Sequence, residues 1–282
     1  MTDNPLKQYF RQPKAYVRLP TQGRWYSADD ITISADGEVP IYPMGAIDDI
    51  LLNTPDAMLN GQALEKVVKN CVPDIKNVKH IMIPDLDAIF VGMKSATSNG
   101  KAELDRNCPK CNHENTYELD CNALLDTIVF VDVNDTFIKF GDNLTVSVRP
   151  YNVEMRQMFI KREFEEEKLI RALDLNKEMD ELEKARILGE SVDRIAQLTF
   201  NLVSKSIEKI VIHNQNITVT DPTHIEEWLI GITKAESDIV IDTVNKLNKA
   251  GIIKEMTVTC QSCNHQWDEQ LSFDPTSFFG KR

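Results

Sequence analysis

The sequence predicts an α+β protein: a mainly helical body with short β-hairpins and a discontinuous ribbon closed by four cysteines. Three observations lead there. Apolar residues recur at helical spacing in several stretches, clearest at Ala63, Leu64, Val67, Val68 and Cys71. Short alternating runs meet at turn residues, as where Phe137–Phe140 and Leu144–Val148 flank Gly141-Asp142-Asn143. Finally, Cys108-Pro109-Lys110-Cys111-Asn112-His113 and Cys260-Gln261-Ser262-Cys263-Asn264-His265 are look-alikes, each set between strand-like runs.

Strand, Cys-x-x-Cys turn, strand, twice over, is the pattern of a zinc ribbon. Two residues between the cysteines let one turn present both thiolates to one ion, and two such turns complete a tetrahedron with Zn–S near ~2.3 Å. Cys108, Cys111, Cys260 and Cys263 are therefore the expected ligands of one structural Zn2+, with no open position for catalysis. Bringing the two distant turns together costs only about 4–5 kcal/mol more than closing a minimal loop. That is below the roughly 10–16 kcal/mol that zinc supplies in small peptides. A redox dithiol is the alternative for one such pair, but two matched pairs with matched flanks argue against it. His113 and His265 each follow a second cysteine by two positions. That spacing favours support of the turn and leaves replacement of a sulfur open. Cys71 and Cys121 have no partner motif and read as ordinary buried thiols.

The 282 residues allow one large domain or two smaller ones. No apolar run approaches the ~18 residues of a membrane span, and Met1–Pro5 lacks the apolar core of a signal peptide. Six cysteines, four in paired turns, suit a reducing compartment. A net charge of −12 repels phosphate, so no nucleic-acid partner is expected although many zinc ribbons bind one.

Residues 1–26 are aromatic and basic, with only Ala15–Leu19 suited to a strand. They form either an arm that docks on a partner or an extended segment packed on the chain's own core, and both readings stay open. Val39–Pro43 is a short extended piece after the Asp36-Gly37 turn. Ile47, Ile50 and Leu51 predict one apolar helix face; Thr54-Pro55 predicts a cap followed by proline in the first turn. Pro73 ends the helix carrying Val67, and Asp85 is placed to cap a helix over Leu86–Ala96. A short helix is expected from Asn122 to Val129 and a long one from Met155 onward. The acidic run Glu163, Glu165, Glu166, Glu167 reads as a solvated face, not as paired catalytic carboxylates. The charge-dense stretch Glu178–Ala185 is a protruding helix or a flexible link, and Ser191 is a candidate cap for Val192–Ile207. Ile210–Ile212 and Ile217–Val219 form a second hairpin about His213–Asn216. Asp221-Pro222 opens a helix, and Thr233 with Glu236 makes a capping box for another that ends at Gly251. The tail from Phe273 to Phe279 is either an exposed apolar plug or folded back as core.

The expected organisation is an N-terminal arm and helical region over 1–100 and a split zinc ribbon formed by 101–121 plus 252–273. An inserted hairpin and helical region covers 122–251, with a C-terminal tail over 274–282. The chain carries no Gly-rich phosphate loop, no Gly-x-Ser-x-Gly and no His-Glu-x-x-His, so an enzyme is not expected.

Several short motifs recur in order: Tyr9–Pro13, Arg18–Tyr26 (Arg-Leu-Pro-Thr-Gln-Gly-Arg-Trp-Tyr), Ile41–Met44, Thr54–Gly61, Cys71-Val72-Pro73, the split cysteine turns and the Phe273–Phe279 tail. In this combination the chain resembles the T-even phage baseplate protein family. Members of that family belong to the central hub of contractile tails or assist its assembly. The resemblance implies a role in tail morphogenesis, with other baseplate and hub proteins as partners, in the virion or in the host cytoplasm during assembly. It names no catalytic residues. Three functions follow for test: a structural hub component, an assembly chaperone that leaves the finished particle, and a zinc-ribbon nucleic-acid binder.

Overall fold

The structure, a computed structural model, describes residues 4–52, 61–175, 180–273 and 278. It is α+β, and the chain divides into two compact units: residues 1–131 with 250–282, and residues 132–249.

In the first unit, strand β1 (Ala15–Arg18) pairs antiparallel with β2 (Glu38–Ile41). Helices α1 (Ala46–Leu52), α2 (Gln62–Cys71) and α3 (Ile83–Thr97) follow. Then come β3 (Lys101–Asn107), β4 (Glu114–Asp120) and the short α4 (Cys121–Asp126), which Asp120 caps by accepting from the N–H groups of Asn122 and Ala123. The centre is α3. Every residue from Ile83 to Met93 is buried, because β1, β2, β3 and α4 all pack on this helix. Such enclosure leaves this stretch no solvent face, and two acids, Asp85 and Asp87, are buried among its apolar residues. Gly92 allows β1 to lie close: a Cβ there would sit 2.4 Å from Val17 Cγ2.

Asp85 does not cap α3; the cap position is Met82. The Asp85 carboxylate is fully buried. It accepts from Thr21 N (2.8 Å), Thr21 Oγ1 (2.5 Å) and the Tyr26 hydroxyl, which itself accepts from Met82 N. These bonds fix the Thr21–Tyr26 turn on the start of α3. Burial pushes the Asp85 carboxyl up to about 6, outweighing the bonds from Thr21 and Tyr26 that favour the anion. A carboxyl raised in the folded state stabilises most below its unfolded value of 3.8, and that contribution is lost as pH rises through about 6. The stability difference between wild type and Asp85→Asn is therefore expected to fall by about 3 kcal/mol from pH 3.5 to 7, measured by urea unfolding at each pH. A flat difference across that range would contradict this assignment.

The apolar face expected on α1 is not the buried one. Ile47 is 70% and Ile50 64% exposed, while Asp48 is buried at 2%. The inversion has a cause: Asp48 accepts from Arg11 Nη1 (2.9 Å), Asn70 Nδ2 (2.7 Å) and Gly45 N (2.8 Å). The same guanidinium donates to the carbonyls of Pro43 (2.7 Å) and Asn70 (2.8 Å). Arg11 thereby rivets the N-terminal segment to the body, while Tyr9, Phe10 and Tyr16 stay exposed. The packed reading holds for Val17 and Leu19, which are core. The expected cap at Thr54 lies outside the described residues. Cys71 and Cys121 are fully buried, as expected; burial pushes their thiols up to about 12 and about 11.

In the second unit, β5 (Phe137–Phe140), β6 (Leu144–Val148), β7 (Ile207–Ile212) and β8 (Ile217–Val219) form one four-stranded antiparallel sheet. The two hairpins legible in the sequence are joined by β6–β7 pairing, Leu144 opposite Ile212 through Val148 opposite Ile207. Helices α5 (Val153–Leu175) and α6 (Glu181–Ser206) lie between β6 and β7 in the chain; α7 (Pro222–Gly231) and α8 (Lys234–Asn248) follow β8. Val146, Val148, Val203, Ile225, Leu229, Val240 and Val244 supply the core. Asp221 caps α7, and the Thr233–Glu236 capping box opens α8.

Two expectations change here. Ser191 is not a cap, because α6 already runs from Glu181; its hydroxyl donates instead to Glu166 (2.6 Å). Glu166 is thus not part of a solvated run: Arg194 Nε (2.7 Å) and Ser191 hold it against α6, and Arg194 first among them lowers its carboxyl to about 2. Glu163, Glu165 and Glu167 remain exposed. Of the stretch 178–185, the part from Glu181 is helical; residues 176–179 lie outside the described residues. At the C-terminus, Phe273 is buried and its ring lies 5.3 Å edge-on from Phe278, with the Lys94 ammonium 5.7 Å over the Phe278 ring. Those two residues follow the folded-back reading; the rest of the tail lies outside the described residues. No helix among the described residues is long and apolar enough to cross a membrane.

Candidate metal centre

The two halves of the site come from two hairpins. β3 and β4 pair in register from Lys101–Asp120 to Asn107–Glu114, delivering Cys108 and Cys111 at the turn. Strands β9 (Glu255–Thr259) and β10 (Gln266–Gln270) pair from Gln270–Glu255 to Gln266–Thr259 and deliver Cys260 and Cys263.

The turns repeat each other bond for bond. Cys108 N donates to His113 O (2.9 Å) and Asn112 N to Cys108 O (2.9 Å). In the second turn Cys260 N donates to His265 O (2.8 Å) and Asn264 N to Cys260 O (3.0 Å). Lys110 N lies 3.4 Å from Cys108 Sγ, and Ser262 N lies 3.4 Å from Cys260 Sγ. Both turns close with an asparagine at φ 57°, Asn112 and Asn264, a left-handed conformation that asparagine tolerates better than most residues.

The folded chain brings all four predicted cysteines together, their sulfurs within 4.8 Å of one another. Cys108 Sγ lies 3.7 Å from Cys263 Sγ, and Cys111 Sγ 3.6 Å from Cys260 Sγ. A tetrahedral zinc with Zn–S near 2.3 Å requires S···S of about 3.8 Å, so the donor set fits that ion in number, chemistry and spacing. Charge leads to the same requirement. Burial opposes ionisation of Cys260, but the N–H groups of Cys263 and Ser262 and the thiols of Cys111 and Cys263 outweigh it and lower its pKa to about 6. At Cys111 a backbone bond at His113 favours the anion, yet the sulfurs of Cys263, Cys260 and Cys108, together with burial, push the thiol up to about 12. One thiolate thus raises the cost of the next, and four together require a cation among them.

Neither imidazole belongs to the group; His265 stacks on Trp267 with ring centroids 6.1 Å apart. Both histidines serve the turns through their backbone carbonyls. The residues that sequence reasoning missed are those joining the two hairpins. Asn115, 1% exposed, donates to His113 O (2.8 Å) and accepts from Gln261 N (2.8 Å), so one amide touches both turns. Arg106 Nε meets Glu269 at 2.5 Å, the Tyr117 hydroxyl donates to Thr259 O (3.0 Å), and Tyr117 meets Trp267 edge-on. Asn115 lies in a strand-like run after the first cysteine turn, and nothing in that run marked the asparagine as the shared one.

The chain reaches the second half of the site after its inserted second unit. The ends of that insertion are adjacent: Val129 and Gly251 exchange N–H···O bonds of 2.9 Å in both directions. These bonds close the loop between the cysteine pairs at its base, so the metal shares the entropic cost of closure with them.

Fold and site together define an α+β protein whose distant hairpins meet at one four-cysteine cluster. The family model described as T4 bacteriophage base plate protein matches residues 44–280, and the chain belongs to that family. Its role is accordingly structural, in the baseplate of a phage tail, among other phage proteins. No curated protein and no solved structure matches the chain.

Proposed function

We propose that the protein is a structural component of the central hub of a contractile-tail baseplate, acting in its assembly through protein–protein contacts. In this reading Cys108, Cys111, Cys260 and Cys263 hold one structural Zn2+, and residues 101–121 with 252–273 act as a split ribbon. The observation that carries it is the closed four-sulfur cluster in a chain of baseplate family: four thiols with S···S of 3.6 and 3.7 Å leave no coordination position for a substrate. Such a site stabilises a shape, and the chain's business is then contact with other proteins.

A second reading, an assembly chaperone that leaves the finished particle, is favoured by α5 and α6. These helices expose ion pairs such as Arg186 with Glu183 and Glu190, a polar surface suited to a transient interface. Quantitative mass spectrometry of purified virions separates the two. Stoichiometric presence with the hub proteins is expected; absence from virions, with the protein abundant in infected cells, would leave the chaperone. Nucleic-acid binding is the least supported reading at a net charge of −12. A salt-dependent shift of DNA at low ionic strength would revive it.

A further inference from the structure

The two halves of the four-cysteine cluster repeat each other, but the repeat breaks at two positions. Pro109 follows the first cysteine of one turn, and Gln261 follows the first cysteine of the other. Proline has no backbone N–H to satisfy; Gln261 has one. Two residues past the histidine of each turn the halves differ again, with Asn115 on β4 and Trp267 on β10. An amide side chain carries an acceptor, an indole only a donor. The hairpin that meets an N–H therefore carries an acceptor, and the hairpin that meets a proline does not. The Trp267 N–H donates within its own hairpin, to Glu269 (3.2 Å).

The bonds of the buried Asn115 lead to both buried ligands, Cys108 and Cys260. Asn115 Nδ2 donates to His113 O (2.8 Å), the carbonyl that also accepts from Cys108 N (2.9 Å). Asn115 Oδ1 accepts from Gln261 N (2.8 Å), the residue next to Cys260. One partner is a carbonyl and the other an N–H, which fixes the way round the amide stands. Cys111, by contrast, is exposed and Cys263 half-buried. One amide thus spans the inner half of the cluster, from the turn of one buried ligand to the turn of the other.

We propose that Asn115 is a positioning residue for the metal, a role that rests on the zinc reading of the four cysteines. Its amide holds the two turns at the separation that tetrahedral coordination needs, and so sets how tightly the chain retains zinc. Groups that orient ligands without touching the ion govern affinity in this way, and losing one weakens binding by about 10–100-fold.

Zinc affinity of the full-length protein, measured by competition with a chromophoric chelator, tests this. Asn115→Ala is expected to weaken binding by about 10–100-fold. Gln261→Pro cuts the same bond from the other side, at a turn position where Pro109 shows that proline fits, and should weaken binding as well. With that bond already gone, adding Asn115→Ala to Gln261→Pro should cost severalfold less than it does in wild type. Thr116→Ala, on the same strand with its hydroxyl bonded to Asp105 of its own hairpin (2.6 Å), should bind zinc like wild type. Cobalt(II) in place of zinc should give the variants the wild-type tetrathiolate charge-transfer spectrum. Loss of a thiolate from that spectrum would overturn the proposal, since a positioning group leaves the donor set whole. So would strictly additive losses, or wild-type affinity in both single variants while wild type binds zinc; these results would leave the metal assignment standing. If Asn115→Ala does not fold, Gln261→Pro decides alone, and unchanged affinity there overturns the role. A wild type that binds no zinc would remove the metal reading itself, and this role with it.

Discussion

Replacing Cys108 or Cys260 with serine is expected to abolish metal binding and unfold the protein. Wild type should carry one zinc per chain by elemental analysis; either variant should carry none. The size of the effect follows from comparing two magnitudes. A structural zinc contributes roughly 10–16 kcal/mol in small peptides, while a whole domain is stable by about 5–15 kcal/mol. The Val129–Gly251 pairing shares the cost of closing the loop between the cysteine pairs, so the metal's contribution is not all spent on closure. The thermal transition is expected to fall by tens of degrees on chelation and to return with added zinc. Cys71→Ser, a buried thiol outside the cluster, supplies the control and should keep one zinc per chain. Properly folded wild-type protein with no zinc would remove the metal assignment. A redox pair predicts otherwise: its sulfurs would oxidise to disulfides reversibly, with no metal bound.

The second large effect is expected from Arg11→Ala. Its guanidinium pairs with Asp48, whose side chain is 2% exposed, and also holds the carbonyls of Pro43 and Asn70. Deleting the cation leaves a buried carboxylate with Asn70, the Gly45 N–H and the weaker Cys71 thiol (3.9 Å) as partners. Removing one member of a buried pair typically costs 3–5 kcal/mol. Because the Arg11 side chain keeps 34% of its exposure, the lower end applies, about 3 kcal/mol, read from the urea midpoint. Arg11→Ala/Asp48→Asn should recover part of the loss, because the orphaned charge is gone as well. If the double variant is no better than the single one, the loss lies in the carbonyl contacts and not in the charge.

Legibility in the sequence followed the range of the interaction. The cysteine turns, the Asp221 cap, the Thr233–Glu236 box and both hairpins were readable because each is decided within a few residues. Ile47 and Ile50 misled because helical spacing reports which residues share a face, not whether that face meets the core; Arg11, Asn70 and Gly45 turned Asp48 inward instead. Asp85 and Ser191 looked like caps because their residue types suit that role, but hydroxyls and N–H groups far along the chain, or a carboxylate on another helix, claimed them first. The site divided the same way. Its four sulfurs were named by spacing, whereas Asn115, Arg106 and Glu269, which join its halves, are ordinary polar residues until the hairpins meet.

By itself the sequence determined the donor atoms: two look-alike turns whose backbone bonds and left-handed asparagines are local. Only the tertiary structure decided that the turns meet at one point. That required the insertion to return to its origin at Val129 and Gly251, and the buried Asn115 amide to bond both turns at once. Contacts between residues so distant along the chain leave no period or spacing in it, because the folding of everything between them sets their geometry.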